Sequence, residues 1–405
     1  MIILVGLLLI SPNSQCYTDS GIYSTTKPQL MWNKTWNKTE QSGDIQIALG
    51  VNNDIYLAGG TSWSKPSALL LKYDTNGNYI WNRTWKKGNS SQILGLSTDY
   101  MNRIYASLGS DIGGELCSYN DTGTLNWSIP VDGYFRSIVT TEEAIYLGGG
   151  YNNNATIIKY NYTGNQTWIR NWDGGQYETL NGIAISPDNK TIYGAGILGP
   201  KYGAKDLLLI AYSSNGTFLW SKTWGGVSED GATGIAVDSN GNIYPFGWTD
   251  SYGSGNHDFL LLKYDSTGVL KWNRTWGSSD AEDGIGIACR NTDIYVVGMS
   301  SGGKTEAVLV KYNDSGFEQW HTSWENATTQ GFWGVAVDKD GNIYTAGILS
   351  YTGGTVGYYF ICKYIEVPNT PEMIAILLPI ATVIATFLIV KLRKRRNEQC
   401  YVRIV

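Results

Sequence analysis

The sequence is poor in the residues that most enzymes use for chemistry. Its 405 residues include only two histidines, His257 and His321, and five cysteines, with no Cys-x-x-Cys pair. No Ser-His-Asp, His-Glu-x-x-His or phosphate-loop arrangement can be assembled from such a set. We therefore expect no enzymatic activity and no cofactor, and we do not expect a disulfide framework.

The sequence also has few charged residues and few segments with the apolar pattern of a helix. Charged residues make up 16% of the chain and the net charge is −5, which gives no reason to expect a nucleic-acid partner. No long apolar pattern with a period of 3.6 residues occurs before residue 373. Most of the chain is therefore predicted to form strands.

The chain does contain a unit of four short strand segments that recurs seven times. Its clearest copy spans residues 230–276, with segments at 234–238, 243–248, 259–264 and 269–276. Turn residues such as Asn240-Gly241 separate the segments, and Asn-Gly accepts positive φ at low cost. A period of roughly 40–50 residues with four strands per unit is typical of a β-propeller blade.

Tyrosine and tryptophan mark the repeat. One tyrosine recurs in every second segment: Tyr56, Tyr105, Tyr146, Tyr193, Tyr244, Tyr295 and Tyr344. Fourth segments usually carry two tryptophans four residues apart, which places both on one face of a strand. We interpret these tryptophans as packing between blades; stacking on sugars or on a quinone is the alternative.

The seventh unit has three segments and ends at Val367. Its missing fourth segment is predicted at the other end of the chain, where Leu-Met-Trp-Asn-Lys-Thr-Trp at 30–36 matches Lys-Trp-Asn-Arg-Thr-Trp at 271–276. The predicted fold is all-β: a seven-bladed β-propeller over residues 30–367, closed by an N-terminal strand. Closure removes the edges that an open array would expose.

The repeat resembles SBBP-type seven-bladed propeller repeats. The resemblance rests on EDGATGIAVDSNGNIYPFGWTDS followed by DFLLLKYDSTGVLKWNRTWG, covers about residues 30–367, and is strongest in units four to seven. It implies an archaeal or bacterial cell-surface protein without an assigned activity. The turn at 264–272 is also similar to quinoprotein-type propeller repeats. An exported quinone-dependent or carbohydrate-active enzyme with a channel site therefore remains the alternative.

Both ends of the chain indicate a membrane. Residues 1–15 begin with a signal-like apolar run, and 368–372 form a Pro-containing linker. Residues 373–390 are apolar and uncharged, and at ~1.5 Å per residue they are long enough for a transmembrane helix. The basic tail at 391–405 is predicted to be cytoplasmic and the propeller extracellular, in a single-pass cell-membrane protein.

An excess of Asn-x-Ser/Thr sequons favours an exported, glycosylated protein. The candidate glycosylation sites are Asn33, Asn37, Asn82, Asn89, Asn120, Asn126, Asn154, Asn161, Asn165, Asn189, Asn215, Asn273, Asn313 and Asn326.

Long, unequal loops join the second and third segments, whereas tight turns join the others. We expect the long loops to lie on the membrane-distal face and to contact an extracellular protein or a glycan, in a binding, adhesion or structural surface module. Their candidate contact residues are Trp63, Tyr202, Trp248, Tyr252, His257 and Tyr351. Asp338-Lys-Asp340-Gly-Asn342 is similar to part of a calcium loop, but it lacks the closing glutamate, so a hairpin turn is the preferred interpretation.

Overall fold

Every element of the described chain is a β-strand. In the computed structural model, residues 25–61, 65–302, 304–324, 329–350 and 357–369 are described, the side chains of 37–44 and 329 excepted. The strands are β1 (Thr26–Leu49), β2 (Ile55–Gly60), β3 (Ala68–Tyr73), β4 (Tyr79–Trp85), β5 (Ser91–Thr98), β6 (Ile104–Ser110), β7 (Gly114–Tyr119), β8 (Leu125–Val131), β9 (Tyr134–Thr140), β10 (Ile145–Tyr151), β11 (Asn154–Tyr160), β12 (Gln166–Trp172), β13 (Tyr177–Ile185), β14 (Thr191–Gly199), β15 (Asp206–Ser213), β16 (Phe218–Trp224), β17 (Asp230–Val237), β18 (Ile243–Thr249), β19 (Asp258–Tyr264), β20 (Leu270–Trp276), β21 (Glu282–Arg290), β22 (Asp293–Ser300), β23 (Glu306–Tyr312), β24 (Glu318–Trp324), β25 (Thr329–Val337), β26 (Ile343–Ser350) and β27 (Gly357–Pro368).

These strands form seven four-stranded antiparallel blades. Five blades are separate sheets, β5–β8, β9–β12, β13–β16, β17–β20 and β21–β24. The remaining sheet runs β25-β26-β27-β1-β2-β3-β4, and it comprises two blades that share the long strand β1. We number the blades by chain order, so that β1–β4 is blade one and β25–β27 belongs to blade seven. The predicted all-β, seven-bladed propeller is confirmed.

Strand β1 closes the ring. Its first part pairs with β27, from Thr26 opposite Pro368 to Trp36 opposite Tyr359. Its last part pairs with β2, ending with Leu49 opposite Ile55. Residues 30–36 therefore supply the fourth strand of blade seven, as the sequence predicts.

The membrane-related segments fall outside this description. Among the described residues, no helix is long and apolar enough to cross a membrane. The signal-like segment 1–15, the predicted helix 373–390 and the basic tail 391–405 all lie outside the described residues, and only 368 and 369 of the predicted linker lie within them.

First strands begin earlier than the apolar pattern predicts. In blade five the apolar segment starts at Gly234, but β17 starts at Asp230, opposite Thr249. The ladder continues through a register shift between Ala232 and Gly234. A β-bulge inserts one residue and breaks the alternation of side chains, so a pattern based on alternation misses the start of the strand.

The two rims of the ring differ in their connections. On the tight-turn face, first strands join second strands and third strands join fourth strands, as at 238–242 and 265–269 in blade five. On the long-loop face, second strands join third strands and each blade joins the next, as at 250–257 and 277–281. Both ends of the described ring, Thr26 and Asn369, lie on the tight-turn face, because β1 and β27 are antiparallel.

The outer tryptophans pack between blades, as predicted. Trp272 donates its indole N–H to the Asp314 carbonyl in the next blade's turn at 3.1 Å. Its ring also lies 6.0 Å from the Tyr244 ring of its own blade. Equivalent bonds to the next blade are Trp81 to Asp121, Trp127 to Tyr162 and Trp168 to Ser214. The second-strand tyrosines are completely buried.

Candidate functional site

A channel passes along the axis of the ring, between the first strands of the blades. A cavity of about 660 Å³ lies there. Gly182, Gly234, Gly286 and Gly334 are among its lining residues. A Cβ at Gly182 would lie 3.0 Å from Gly234 Cα of the next blade, so glycine lets the first strands of neighbouring blades approach closely around the axis.

The bulges in the first strands supply six of the side chains that line the channel. Each bulge leaves one residue without a partner on the second strand, and that residue lines the channel. The residues are Leu94, Arg136, Asn181, Thr233, Ile285 and Trp333. They differ in charge, size and polarity from blade to blade, although the neighbouring glycines repeat. At the bulge positions the channel surface is therefore not a repeated one.

An aromatic and acidic cluster lies where the channel opens on the long-loop face. The Trp248 ring at the end of β18 stacks on the His257 ring, with centroids 6.2 Å apart and planes 13° apart. His257 Nδ1 lies 2.9 Å from Asp283 Oδ1, and Nε2 lies 3.3 Å from Asp250 Oδ1. Trp248, His257 and Asp283 line the channel cavity. We call these four residues the mouth cluster.

Buried carboxylates hold the loop that carries His257. Asp230 Oδ2 accepts hydrogen bonds from Gly226 N at 2.8 Å and Ser251 Oγ at 2.7 Å. Asp258 Oδ2 accepts one from Ser254 N at 2.8 Å. Both carboxylates are almost completely buried. The loop between β18 and β19 is thus pinned at both ends, and His257 is positioned beside the channel.

The mouth cluster is short of positive charge. Burial raises the pKa of Asp250 above its usual value, the charge of His257 opposes this rise, and Glu229, Asp230 and Asp283 add to it. One imidazole thus faces two carboxylates next to an open cavity. Such a site suits a ligand group that is cationic or that donates hydrogen bonds.

The structure separates the predicted contact residues. Trp248 and His257 meet in the mouth cluster, whereas Tyr252 packs on Trp224 of blade four at a centroid distance of 5.1 Å. Tyr202 is 87% exposed in the loop after β14. Trp63 and Tyr351 lie outside the described residues.

Sequence reasoning missed the bulge residues and the contact of His257 with Asp250 and Asp283. A signal for the bulge residues does exist: each stands next to a recurring small-residue position, yet its identity changes from unit to unit. Asp250 and Asp283 have no comparable signal, because Asp250 lies in the loop after β18 whereas Asp283 lies in strand β21 of the next blade. Their contact with one imidazole depends on how the blades pack.

The two histidines do not meet. His321 lies on the outer strand β24, against Trp276 at a centroid distance of 5.7 Å. Glu318 accepts a hydrogen bond from its ring and raises the pKa of His321. Only His257 lies at the channel, and its neighbours there are carboxylates and an indole.

Several sequons have a structural explanation. Asn120, Asn161 and Asn313 begin turns between third and fourth strands, where Asn120 Oδ1 accepts hydrogen bonds from Thr122 N and Thr124 N at 3.1 and 2.8 Å. Asp265 makes the same bonds in blade five. The Asn-x-Ser/Thr pattern is therefore also explained by an Asx turn at these sites. All the described sequon asparagines with a described side chain are exposed or half-buried; Asn326 and the side chain of Asn37 lie outside the description.

The turn that resembles a calcium loop is held by internal hydrogen bonds. Asp338 Oδ1 accepts from Asp340 N and Asn342 N, and Oδ2 accepts from Asn342 Nδ2 and Tyr344 Oη. Asp238 makes equivalent bonds in blade five. Within the described part of the chain, no group of three or more His, Cys, Asp or Glu side chains could hold a metal ion.

Comparisons with known proteins agree on architecture. Residues 67–223 match the family model described as outer membrane protein assembly factor BamB. This match spans less than half of the chain. No curated protein sequence matches the chain.

Solved propellers superpose along most of the ring at low identity. Sqt1 from Chaetomium thermophilum gives a TM-score of 0.54 at 10% identity, covering 84% of this chain and 100% of Sqt1. YCF48 bound to D1 peptide gives 0.52 at 10% identity, covering 86% and 98%. BamB from Moraxella catarrhalis gives 0.48 at 12% identity, covering 84% and 100%. The chain is thus a seven-bladed β-propeller that is similar in sequence to the BamB family over residues 67–223.

Proposed function

We propose that the protein is a membrane-anchored, extracellular binding module whose long-loop face binds a polypeptide partner. The observation that carries this proposal is the mouth cluster, where Trp248 and His257 stack beside the channel and two carboxylates face the imidazole. Irregular loops on a rigid scaffold commonly carry specificity. The tight-turn face offers repeated, internally hydrogen-bonded turns instead.

The proposed orientation follows from the ends of the ring. Thr26 pairs with Pro368, so the chain enters and leaves the ring on the tight-turn face. If residues 373–390 span the membrane, a linker of about five residues keeps this face near the bilayer. The mouth cluster is then directed away from the membrane. Protease added to intact cells should digest the ring and spare an epitope placed after Arg403; protection of the ring would reverse this topology.

Binding is favoured over catalysis by the composition of the channel. Its one histidine stands between carboxylates, and the bulge residues that line it differ among six blades. The quinone-dependent or carbohydrate-active enzyme remains the competing hypothesis.

A polypeptide is favoured over a glycan by the shape of this face. Its loops surround a cavity that one inserted side chain could enter, and a surrounding rim could take the rest of a bound segment. A propeller of similar fold, YCF48, has been solved bound to D1 peptide. We also propose that exposed sequons such as Asn33 and Asn273 are glycosylated, which mass spectrometry of the native protein would detect.

The proposal is tested with the full-length protein and a displayed peptide library. Selected peptides are measured by fluorescence anisotropy against wild type, the Trp248→Ala/His257→Ala double variant, and a control variant altered at Thr267 on the tight-turn face. We expect the double variant to lose binding by at least about tenfold, roughly 1.4 kcal/mol, and the control to retain it. If only the Thr267 control variant lost peptide binding, the binding site would lie on the tight-turn face instead. Enrichment on a glycan array without peptide binding would replace the polypeptide with a glycan.

A further inference from the structure

A second pocket opens on the long-loop face, away from the mouth cluster. It lies among blades two, three and four and encloses about 450 Å³. Blade three makes room for it, because a two-residue turn at Asn152 and Asn153 replaces the long loop found in blade five. Both residues have positive φ, 54° and 67°, as a type I′ turn requires. We call this cavity the blade-three pocket.

Its lining is acidic and aromatic. Tyr134, Tyr151 and Tyr177 line it together with Asp132 and Glu178, and the remaining lining residues are glycine, serine, threonine and asparagine. No lysine, arginine or histidine is among the described residues that line it. Glycines form much of the wall, so side chains do not fill the space.

One wall contains a carboxylate that is incompletely hydrogen-bonded. Glu178 is completely buried; its Oε1 accepts from Gln176 N at 2.9 Å, whereas Oε2 has no hydrogen-bond partner. Burial, together with the charge of Asp173, raises the pKa of Glu178. An unsatisfied buried carboxylate is costly for a fold.

The equivalent position in blade six shows which hydrogen-bond donor Glu178 lacks. Glu282, at the start of β21, is the counterpart of Glu178, which lies close to the start of β13. Oε1 of Glu282 accepts hydrogen bonds from Ser278 Oγ and Ser300 Oγ, each at 2.9 Å. Ser300 is the cross-strand partner of Glu282. The partner of Glu178 is Leu198, which has no hydroxyl. The repeat therefore keeps the acid in blade four but omits its hydrogen-bond donor.

We propose that the blade-three pocket binds a cationic side chain, the guanidinium or ammonium group of an arginine or lysine in a polypeptide. Such a group would supply hydrogen bonds and positive charge to Glu178 and Asp132. Tyrosine faces attract cations as well. This site differs in location and composition from the mouth cluster, and neither requires the other.

Full-length protein is titrated by calorimetry with N-acetyl-arginine methylamide and with its neutral isostere, N-acetyl-citrulline methylamide. We expect the arginine compound to bind at least about tenfold more tightly, with affinity that falls as salt rises. Glucosamine and N-acetylglucosamine form a second pair of probes. Stronger binding of glucosamine than of the arginine compound would assign the cation to an amino sugar and overturn the polypeptide source.

Two matched variants separate recognition from folding. Glu178→Gln should fold normally, because it removes an unsatisfied charge, yet lose arginine binding by about tenfold or more. Glu282→Gln breaks a satisfied carboxylate and should leave that binding unchanged. Tyr134→Leu, at a half-exposed position, should also weaken binding without altering the melt.

Equal binding of the arginine and citrulline compounds would overturn the inference, as would unchanged binding in Glu178→Gln. The Trp248→Ala/His257→Ala variant should bind the arginine compound as wild type does. Peptide binding at the mouth cluster without arginine binding here would therefore reject this site and leave the proposed function standing.

Discussion

The two faces of the ring use the same repeat in opposite ways. On the tight-turn face, the turn between the third and fourth strands is held within its own hairpin and also contacts the preceding blade, as blade five shows. Asp265 holds the turn at 265–269, while Gly268 lies against Trp220 of blade four. On the long-loop face, a buried carboxylate fixes the base of a loop in blades five and six, Asp230 and Glu282 respectively, and the loops beyond them differ in length.

This difference suggests that the tight-turn face contributes mainly to stability, whereas the long-loop face is available for recognition. A residue that satisfies two blades has little freedom to vary, so the tight turns repeat. A loop that is fixed at its base can change in length and sequence without disturbing the ring. Blade three shows the extreme case, since its loop is reduced to Asn152-Asn153 and a pocket opens in its place.

Removing the closing strand should have the largest effect. Deletion of residues 1–36 removes the partner of β27 and exposes that edge in blade seven. We expect loss of the cooperative thermal transition and aggregation, measured by circular dichroism and size-exclusion chromatography. Deletion of residues 1–24 alone is the control and should leave the ring's transition in place. A soluble protein with an unchanged melt after the longer deletion would contradict the role of β1.

The next effect compares two glycines of the tight-turn face. Gly268 has φ +80°, and a Cβ there would lie 2.9 Å from Lys222 Cε and 3.0 Å from Trp220 Cδ2. Gly241 has the same φ, but a Cβ would meet nothing within 4 Å. Gly268→Ala should lower the free energy of unfolding by about 2–4 kcal/mol, and Gly241→Ala by about 1 kcal/mol. If chemical denaturation gave equal losses of unfolding free energy for the two variants, contact with the neighbouring blade would not contribute to the effect at Gly268.

A smaller effect compares two buried acids at the base of the long loops. Glu282→Gln should cost about 1–2 kcal/mol, because it disrupts hydrogen bonds from Ser278 and Ser300. Glu178→Gln should cost nothing or stabilise the fold near neutral pH. Denaturant titration of both variants measures this, and an equal loss in both would contradict the difference in their hydrogen bonding.

The pH dependence of Glu178 has a defined sign. Because burial raises its pKa in the folded state, its contribution to stability is fully present below the pKa of the unfolded chain. That contribution is lost as pH rises through the folded-state pKa. Unfolding measured across this window should therefore show a shallower loss with rising pH in Glu178→Gln than in wild type.

The smallest effect is expected at the tip of a long loop. Tyr202 is 87% exposed, so Tyr202→Ala should change the free energy of unfolding by less than about 0.5 kcal/mol. If Tyr202→Ala lowered the free energy of unfolding as much as Gly268→Ala does, the two faces would not differ in their contribution to stability.

The repeat and its closure could be predicted from sequence because they depend on local patterns. Turn residues such as Asn240-Gly241, the buried tyrosines and the paired tryptophans recur at fixed spacing, and Trp32 and Trp36 reveal the displaced strand. Strand starts such as Asp230 could not be predicted, because the bulge at Thr233 breaks the alternation. The structure places Trp248 beside His257 at the channel and Tyr252 against Trp224, a separation that the loop sequence does not indicate.

The sequence by itself determined the number of blades, the ring closure and the face on which the ends of the ring lie, since all follow from periodicity and strand direction. Tertiary structure alone decided which side chains meet: His257 with Asp283 from the next blade, Tyr252 with Trp224 from the previous one, and Glu178 opposite Leu198. Contacts between blades join residues far apart in the chain, and no local pattern records the donor that such a carboxylate receives or lacks.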